Sequence, residues 1–190
     1  MDNKLKIISY LGKHLQESYT MHELSKLLNI PYASFYRTIQ QMKDILIIKE
    51  IGKSKTITLN LHNPVIKSHL VVASDEENKE FLKKQSTIKK ISEELETQNI
   101  VLVFGSYAKG NETEKSDVDI LVINKDGKKD LSFSKYELLF KKKINPIFIN
   151  VKEFKNMLKD KEENVGKQAV KDHIILKNPE QFWGCVLDVF

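Results

Sequence analysis

The sequence predicts an α/β (α+β) protein in two parts, and three observations carry that expectation. Residues 3–61 read as helices followed by a β-hairpin, residues 75–190 alternate short apolar strands with amphipathic helices, and no long Gly/Ser linker lies between them. The expected boundary gives parts of residues 1–73 and 74–190. With 190 residues and 41% apolar content, the chain can bury two small cores.

In the first part, Leu5, Ile8, Leu11 and Leu15 recur at spacings of three and four, which predicts a helix over Lys4–Glu17. Thr20 is the expected N-cap of a second helix, and Glu23 completes a capping box ahead of Leu24, Leu27 and Leu28. Asn29 and Pro31 stop that helix, and Ser34 can cap a third over Phe35–Asp44. There Phe35, Ile39 and Met42 share a face, and Tyr36, Arg37, Gln40 and Gln41 lie on the other side. Leu46–Ile51 and Thr56–Leu61 are β-rich runs joined by Gly52-Lys53-Ser54-Lys55, the pattern of a hairpin.

The second part opens with an expected helix over residues 75–98, started by a capping box at Ser74-Asp75-Glu76-Glu77 and striped by Phe81, Ile88, Ile91 and Leu95. Strands are expected at 100–104, 118–123 and 144–151, a turn with a short helix at 105–112, and helices at 131–141 and 152–160. Near the end, His173-Ile174-Ile175-Leu176 is an apolar run and Asn178-Pro179 starts a last helix. Phe182, Trp183, Val186, Leu187 and Phe190 are its expected core anchors.

Charge and composition narrow the classes of function. The formal net charge is +5, and residues 1–61 hold nine Lys/Arg against five Asp/Glu, so most of the excess lies in the first part and favours a polyanionic partner there. Nothing approaches the roughly 20 consecutive apolar residues of a membrane span. The start, Met1-Asp2-Asn3-Lys4, leads into an amphipathic pattern, so a cytoplasmic protein with no membrane partner is expected. A single cysteine, Cys185, excludes an internal disulfide. His14, His22, His62, His69 and His173 are scattered, with no pair at metal-ligand spacing.

The stretch with most chemistry is Gly105-Ser106-Tyr107-Ala108-Lys109-Gly110 followed by Ser116-Asp117-Val118-Asp119-Ile120. A glycine at a turn directly after an apolar strand lets backbone approach a ligand closely. Asp117 and Asp119 alternate with apolar residues at the two-residue period of a strand, so both point to one face. Paired carboxylates repel unless a cation sits between them, and magnesium commonly takes one or two carboxylates plus substrate phosphates.

Two resemblances follow from these residues. Three helices and a basic-tipped hairpin over residues 3–61 resemble a winged helix-turn-helix. That resemblance implies double-stranded DNA as partner, with Tyr36, Arg37, Gln40 and Gln41 in the major groove, Lys53 and Lys55 of the wing against phosphates, and room for a homodimer. Phe104-Gly105-Ser106 and, after ten intervening residues, Asp117-Val118-Asp119-Ile120 resemble the nucleotidyltransferase superfamily related to DNA polymerase β, in particular its small archaeal and bacterial members. This second resemblance covers residues 75–190 and implies a mixed sheet with flanking helices. It also implies an NTP, with ATP expected, held by Gly105 and Ser106 with added charge from Lys109, and Mg²⁺ (or Mn²⁺) on the catalytic pair Asp117 and Asp119.

In active members of that superfamily a third carboxylate on a following strand binds the catalytic metal. The matching strand here, Ile144–Val151, holds no Asp or Glu, and Asn145 is the natural counterpart; Glu137 and Glu153 are the nearby acids. An amide can ligate through its carbonyl but cannot serve as a general base. Two readings therefore stand. One is a DNA-binding nucleotidyltransferase that transfers a nucleoside monophosphate. The other is a transcriptional regulator whose second domain turns over weakly or not at all, senses nucleotide or binds a partner, with an antitoxin-like role as one form of it.

Overall fold

A computed structural model describes residues 1–52 and 54–190 of the chain and divides it into two units, Met1–Glu76 with Phe190 and Glu77–Val189. In the first unit the Asp2 side chain accepts the Leu5 N–H at 2.8 Å and starts α1 (Asn3–Lys13). The helix stops at His14, short of the expected Glu17, where the backbone leaves helical geometry and the imidazole turns back onto the Tyr10 carbonyl. A two-residue strand, β1 (Tyr19–Thr20), precedes α2 (Met21–Leu27), and the Thr20–Glu23 capping box forms as expected.

Asn29 turns the chain in the left-handed region, with φ at 52°. Helix α3 (Tyr32–Gln41) then begins three residues ahead of the expected Phe35. Pro31, not Ser34, is its N-cap: the Pro31 carbonyl accepts from the N–H groups of Ser34 and Phe35, and proline has no N–H of its own to leave unpaired. Phe35, Ile39 and Met42 are fully buried with Ile7, Ile8 and Leu24. The hairpin is β2 (Leu46–Ile51) against β3 (Ser54–Leu59), tighter than expected because Ile51 already pairs with Ser54. With β1 on the other side of β3 these strands form a sheet in the order β1-β3-β2.

The expected helix over 75–98 is replaced by two. α4 (Ile66–Leu82) starts nine residues earlier, because Ile66, Leu70 and Ala73 form a buried stripe at helical spacing that runs straight through Ser74. Ser74 is buried in the middle of this helix, not at its start. After a break at 83–85, α5 (Ser86–Glu94) buries Ile88 and Ile91.

The second unit is built on a four-stranded sheet. β4 (Ile100–Phe104) leads into α6 (Gly105–Lys109). β5 (Val118–Asn124), α7 (Ser134–Phe140), β6 (Ile144–Asn150), α8 (Val151–Lys159), α9 (Val165–Lys171), β7 (Ile174–Lys177) and α10 (Pro179–Leu187) follow. Strand order is β6-β5-β4-β7, with β5 and β6 parallel and the other neighbours antiparallel, so the sheet is mixed. Val101, Val103, Val118, Ile120 and Val122 project from one face onto Ile88, Ile91, Tyr107 and Tyr136. β6 is an edge strand, which is where Pro146 can be tolerated.

Asn178, left-handed at φ 58°, donates from its amide to the Asn99 carbonyl at 2.7 Å and sets the start of α10. Phe182, Trp183 and Val186 are buried as expected, but Leu187 is half-buried and Phe190 is exposed: the helix ends at Leu187, and the chain beyond it carries no core residue. Among the described residues, no helix is long and apolar enough to cross a membrane.

Candidate functional site

Two adjacent strands and one tight turn bring the polar residues of the second unit together. β4 ends at Phe104, which pairs with Asp119 of β5. Gly105 follows in the left-handed region at φ 70°, and α6 begins there. A Cβ at Gly105 would lie 2.7 Å from Asp119 Oδ2, so the bare backbone of Gly105 is what lets the turn and the carboxylate approach. Ser106 is half-buried in this turn beside buried Tyr107.

Asp117 is carried to the same edge by the loop after α6. Thr113 and Ser116 close that loop, with the Thr113 N–H donating to Ser116 Oγ at 2.9 Å and the Ser116 N–H to the Thr113 carbonyl at 3.0 Å. Val118 and Ile120 point into the core with no exposure, leaving Asp117 and Asp119 half-buried on the opposite side, as the two-residue period requires.

The parallel strand β6 completes the group. Asp119 and Asn145 are register partners, and Asp117 and Lys143, just ahead of the two strands, lie beside one another. The Val118 N–H donates to the Lys143 carbonyl at 2.9 Å and fixes this register. Asn145 Nδ2 donates to Asp117 Oδ2 at 3.1 Å and to Asp119 Oδ1 at 3.3 Å, bridging the two carboxylates. Lys143 Nζ lies 3.0 Å from Asp117 Oδ2. The hydrogen bond from Lys143 and then that from Asn145 hold the Asp117 carboxyl below its ordinary range, against desolvation acting the other way.

Other acids stand apart from this pair. Glu137 accepts the Ile144 N–H at 2.9 Å, and Glu153 forms the capping box of α8 with Asn150. Lys109 pairs with Asp172 at 3.1 Å. Among the described residues, no group of three or more His, Cys, Asp or Glu is placed to hold a metal ion. Asp117 and Asp119 can supply two carboxylates to one hard cation.

Lys143 is the residue that reading the sequence misses. The two-residue period aligns Lys143, just ahead of β6, with Asn145, as it aligns Asp117 with Asp119, but the meeting of the two pairs depends on strand register.

In the first unit, α3 presents Tyr36, Arg37 and Gln41 to solvent and leaves Gln40 half-buried. The Arg37 guanidinium bends back, Nε donating to the Ala33 carbonyl at 3.3 Å. Lys55 pairs with Glu50 at 3.0 Å, which raises the ammonium's pKa. Lys53 lies outside the described residues. Tyr32, Tyr36, His22 and Lys55 are among the residues lining a cavity of about 350 Å³ between α2, α3 and β3.

Residues 84–183, more than half of the chain, match the family model described as Nucleotidyltransferase domain. No curated protein and no solved structure matches the chain.

Proposed function

We propose, because this chain belongs to the nucleotidyltransferase domain family, that its second unit binds a nucleoside triphosphate with one divalent cation and transfers the nucleoside monophosphate to an acceptor hydroxyl. The observation that carries the reading is the approach of Gly105 to Asp119, a turn and a carboxylate so close that no side chain fits between them. The donors of that turn, the half-buried Ser106 hydroxyl and the backbone N–H groups, suit phosphate oxygens. Asp117 and Asp119 fit one Mg²⁺ or Mn²⁺, with water and phosphate oxygens filling the remaining positions. A cation there would neutralise phosphate charge and polarise the reacting centre.

In the transfer, an acceptor oxygen bonds to the α-phosphorus, the bond from that phosphorus to the oxygen bridging to the β-phosphate breaks, and pyrophosphate leaves with the electron pair. The acceptor proton passes to water, because the Asn145 amide cannot take it. Asn145 instead keeps the two carboxylates aligned through its paired hydrogen bonds.

The first unit is read as a winged helix that lays α3 in the major groove of double-stranded DNA. What supports this is the order of helices and hairpin, the exposure of Tyr36, Arg37 and Gln41, and the basic excess of this part of the chain. The neutral amide at position 145 favours a second reading, in which nucleotide binding regulates DNA binding and turnover is slight.

Mg²⁺-dependent pyrophosphate release from ATP, with double-stranded DNA, RNA and the chain itself as acceptors, separates the two. Transfer predicts release that disappears in Asp117→Ala and Asp119→Ala. A wild-type protein that binds Mg²⁺·ATP yet releases no pyrophosphate with any acceptor selects the regulator.

A further inference from the structure

We propose that the Lys143 ammonium stands in for a second divalent cation in this site, so that one ion, not two, accompanies the bound nucleotide. The inference rests on the nucleotide-binding reading above and concerns how that site balances its charge. Three distances define the arrangement: Lys143 to Asp117 at 3.0 Å, and the Asn145 amide to Asp117 at 3.1 Å and to Asp119 at 3.3 Å.

The ligand supply decides how many ions can be held. Phosphoryl transfer at a two-metal site clamps the attacking and leaving oxygens with two cations, which need anionic ligands between them. Here the β5–β6 edge offers two carboxylates, one neutral amide and one ammonium. One divalent ion balances the carboxylates, and Lys143 leaves the group with a single positive charge to face the triphosphate. A second divalent ion would raise that to three positive charges within a few ångströms, with no further carboxylate to separate them. Glu137 and Glu153 cannot supply it without surrendering the Ile144 N–H and the cap of α8.

Lys143 is held at this place by the backbone. The parallel register pairs Val118 with Ile144 and Asp119 with Asn145, and the bond from the Val118 N–H to the Lys143 carbonyl holds Lys143 beside Asp117 just ahead of the two strands. The side chain itself is 67% exposed, so its flexible stem can hand the ammonium from Asp117 to a phosphate oxygen when a metal takes the carboxylate. Lys109 is not equivalent, being paired with Asp172.

Mn²⁺ titrations followed by the electron paramagnetic resonance of free Mn²⁺ test this directly. Without nucleotide, Lys143→Met is expected to bind Mn²⁺ about tenfold more tightly than wild type, because the ammonium no longer competes for Asp117. With α,β-methylene-ATP, which cannot release pyrophosphate, wild type is expected to retain one Mn²⁺ per nucleotide. The double variant Lys143→Met/Asn145→Asp, with the ammonium removed and a carboxylate added, is expected to retain two. Thermal melts confirm that each variant is folded, and Lys143→Ala serves in place of any that is not. Two ions in wild type, or unchanged nucleotide-free affinity in Lys143→Met, would overturn the proposal. Should wild type fail to bind the analogue at all, the nucleotide-binding reading falls, and the nucleotide-free titration still decides the role of Lys143.

Discussion

Replacing Gly105 by alanine adds one methyl group at the point where the turn meets the carboxylate, and the structure sets the size of the effect. An alanine at φ 70° carries the left-handed penalty of about 1–2 kcal/mol. The new Cβ also lies 2.7 Å from Asp119 Oδ2, closer than carbon and oxygen can stand, so Asp119 must rotate or α6 must shift. Rotation breaks the Asn145 hydrogen bond to Asp119, a charge-assisted bond on a half-buried carboxylate worth about 1–2 kcal/mol.

Gly110 is the internal control. Its φ is 69°, and a Cβ there meets nothing within 4 Å. Urea denaturation followed by the fluorescence of the single tryptophan, Trp183, reads the second unit. Gly110→Ala is expected to cost about 1–2 kcal/mol and to leave Mg²⁺·ATP affinity unchanged. Gly105→Ala is expected to cost about 2–4 kcal/mol and to weaken Mg²⁺·ATP binding at least about tenfold. Equal stability losses in the two variants, with unchanged nucleotide affinity in both, would refute the reasoning.

Three further outcomes are expected. Arg37→Ala should weaken binding to double-stranded DNA in fluorescence anisotropy and lower the slope of log affinity against log salt by about 1, since one counterion-displacing charge is lost. Glu94, held at about 2 by Lys90 and then Lys135, has a folded value below its ordinary 4.5; its contribution is therefore complete above that ordinary value and lost as pH falls toward 2. Melting curves of wild type and Glu94→Gln should differ at pH 7 and converge near pH 2. Phe182→Ala should cost about 3–5 kcal/mol in urea denaturation, because this fully buried ring packs against Phe154, His173 and Trp183.

How much of this was legible in the sequence depends on where each residue's partners lie. The Thr20–Glu23 box and the strands expected at 100–104 and 118–123 follow from residues close in sequence, and Asn178-Pro179 marks the start of α10; all were readable. Helix α4 was not. Its start is decided by the burial of Ile66 and Leu70, while the local capping pattern at Ser74–Glu77 points elsewhere and is overridden. Strand β7 reads as a bare apolar run until β4 is there to pair with it. At the site, the same-face placement of Asp117 and Asp119 follows from strand period alone. The proximity of Asn145 and Lys143 needs the register of two strands separated by a helix, which no local pattern encodes.

The Gly105 turn with Asp117 and Asp119 is proposed to form one cation-dependent nucleotide site. Calorimetric titration of ATP into the protein with Mg²⁺, and again with chelator, tests it most directly. Binding is expected with Mg²⁺, none with chelator, and none in Asp117→Ala/Asp119→Ala despite an unchanged melting profile for the first unit. Failure of wild type to bind Mg²⁺·ATP, or equal binding by the double variant, would contradict it.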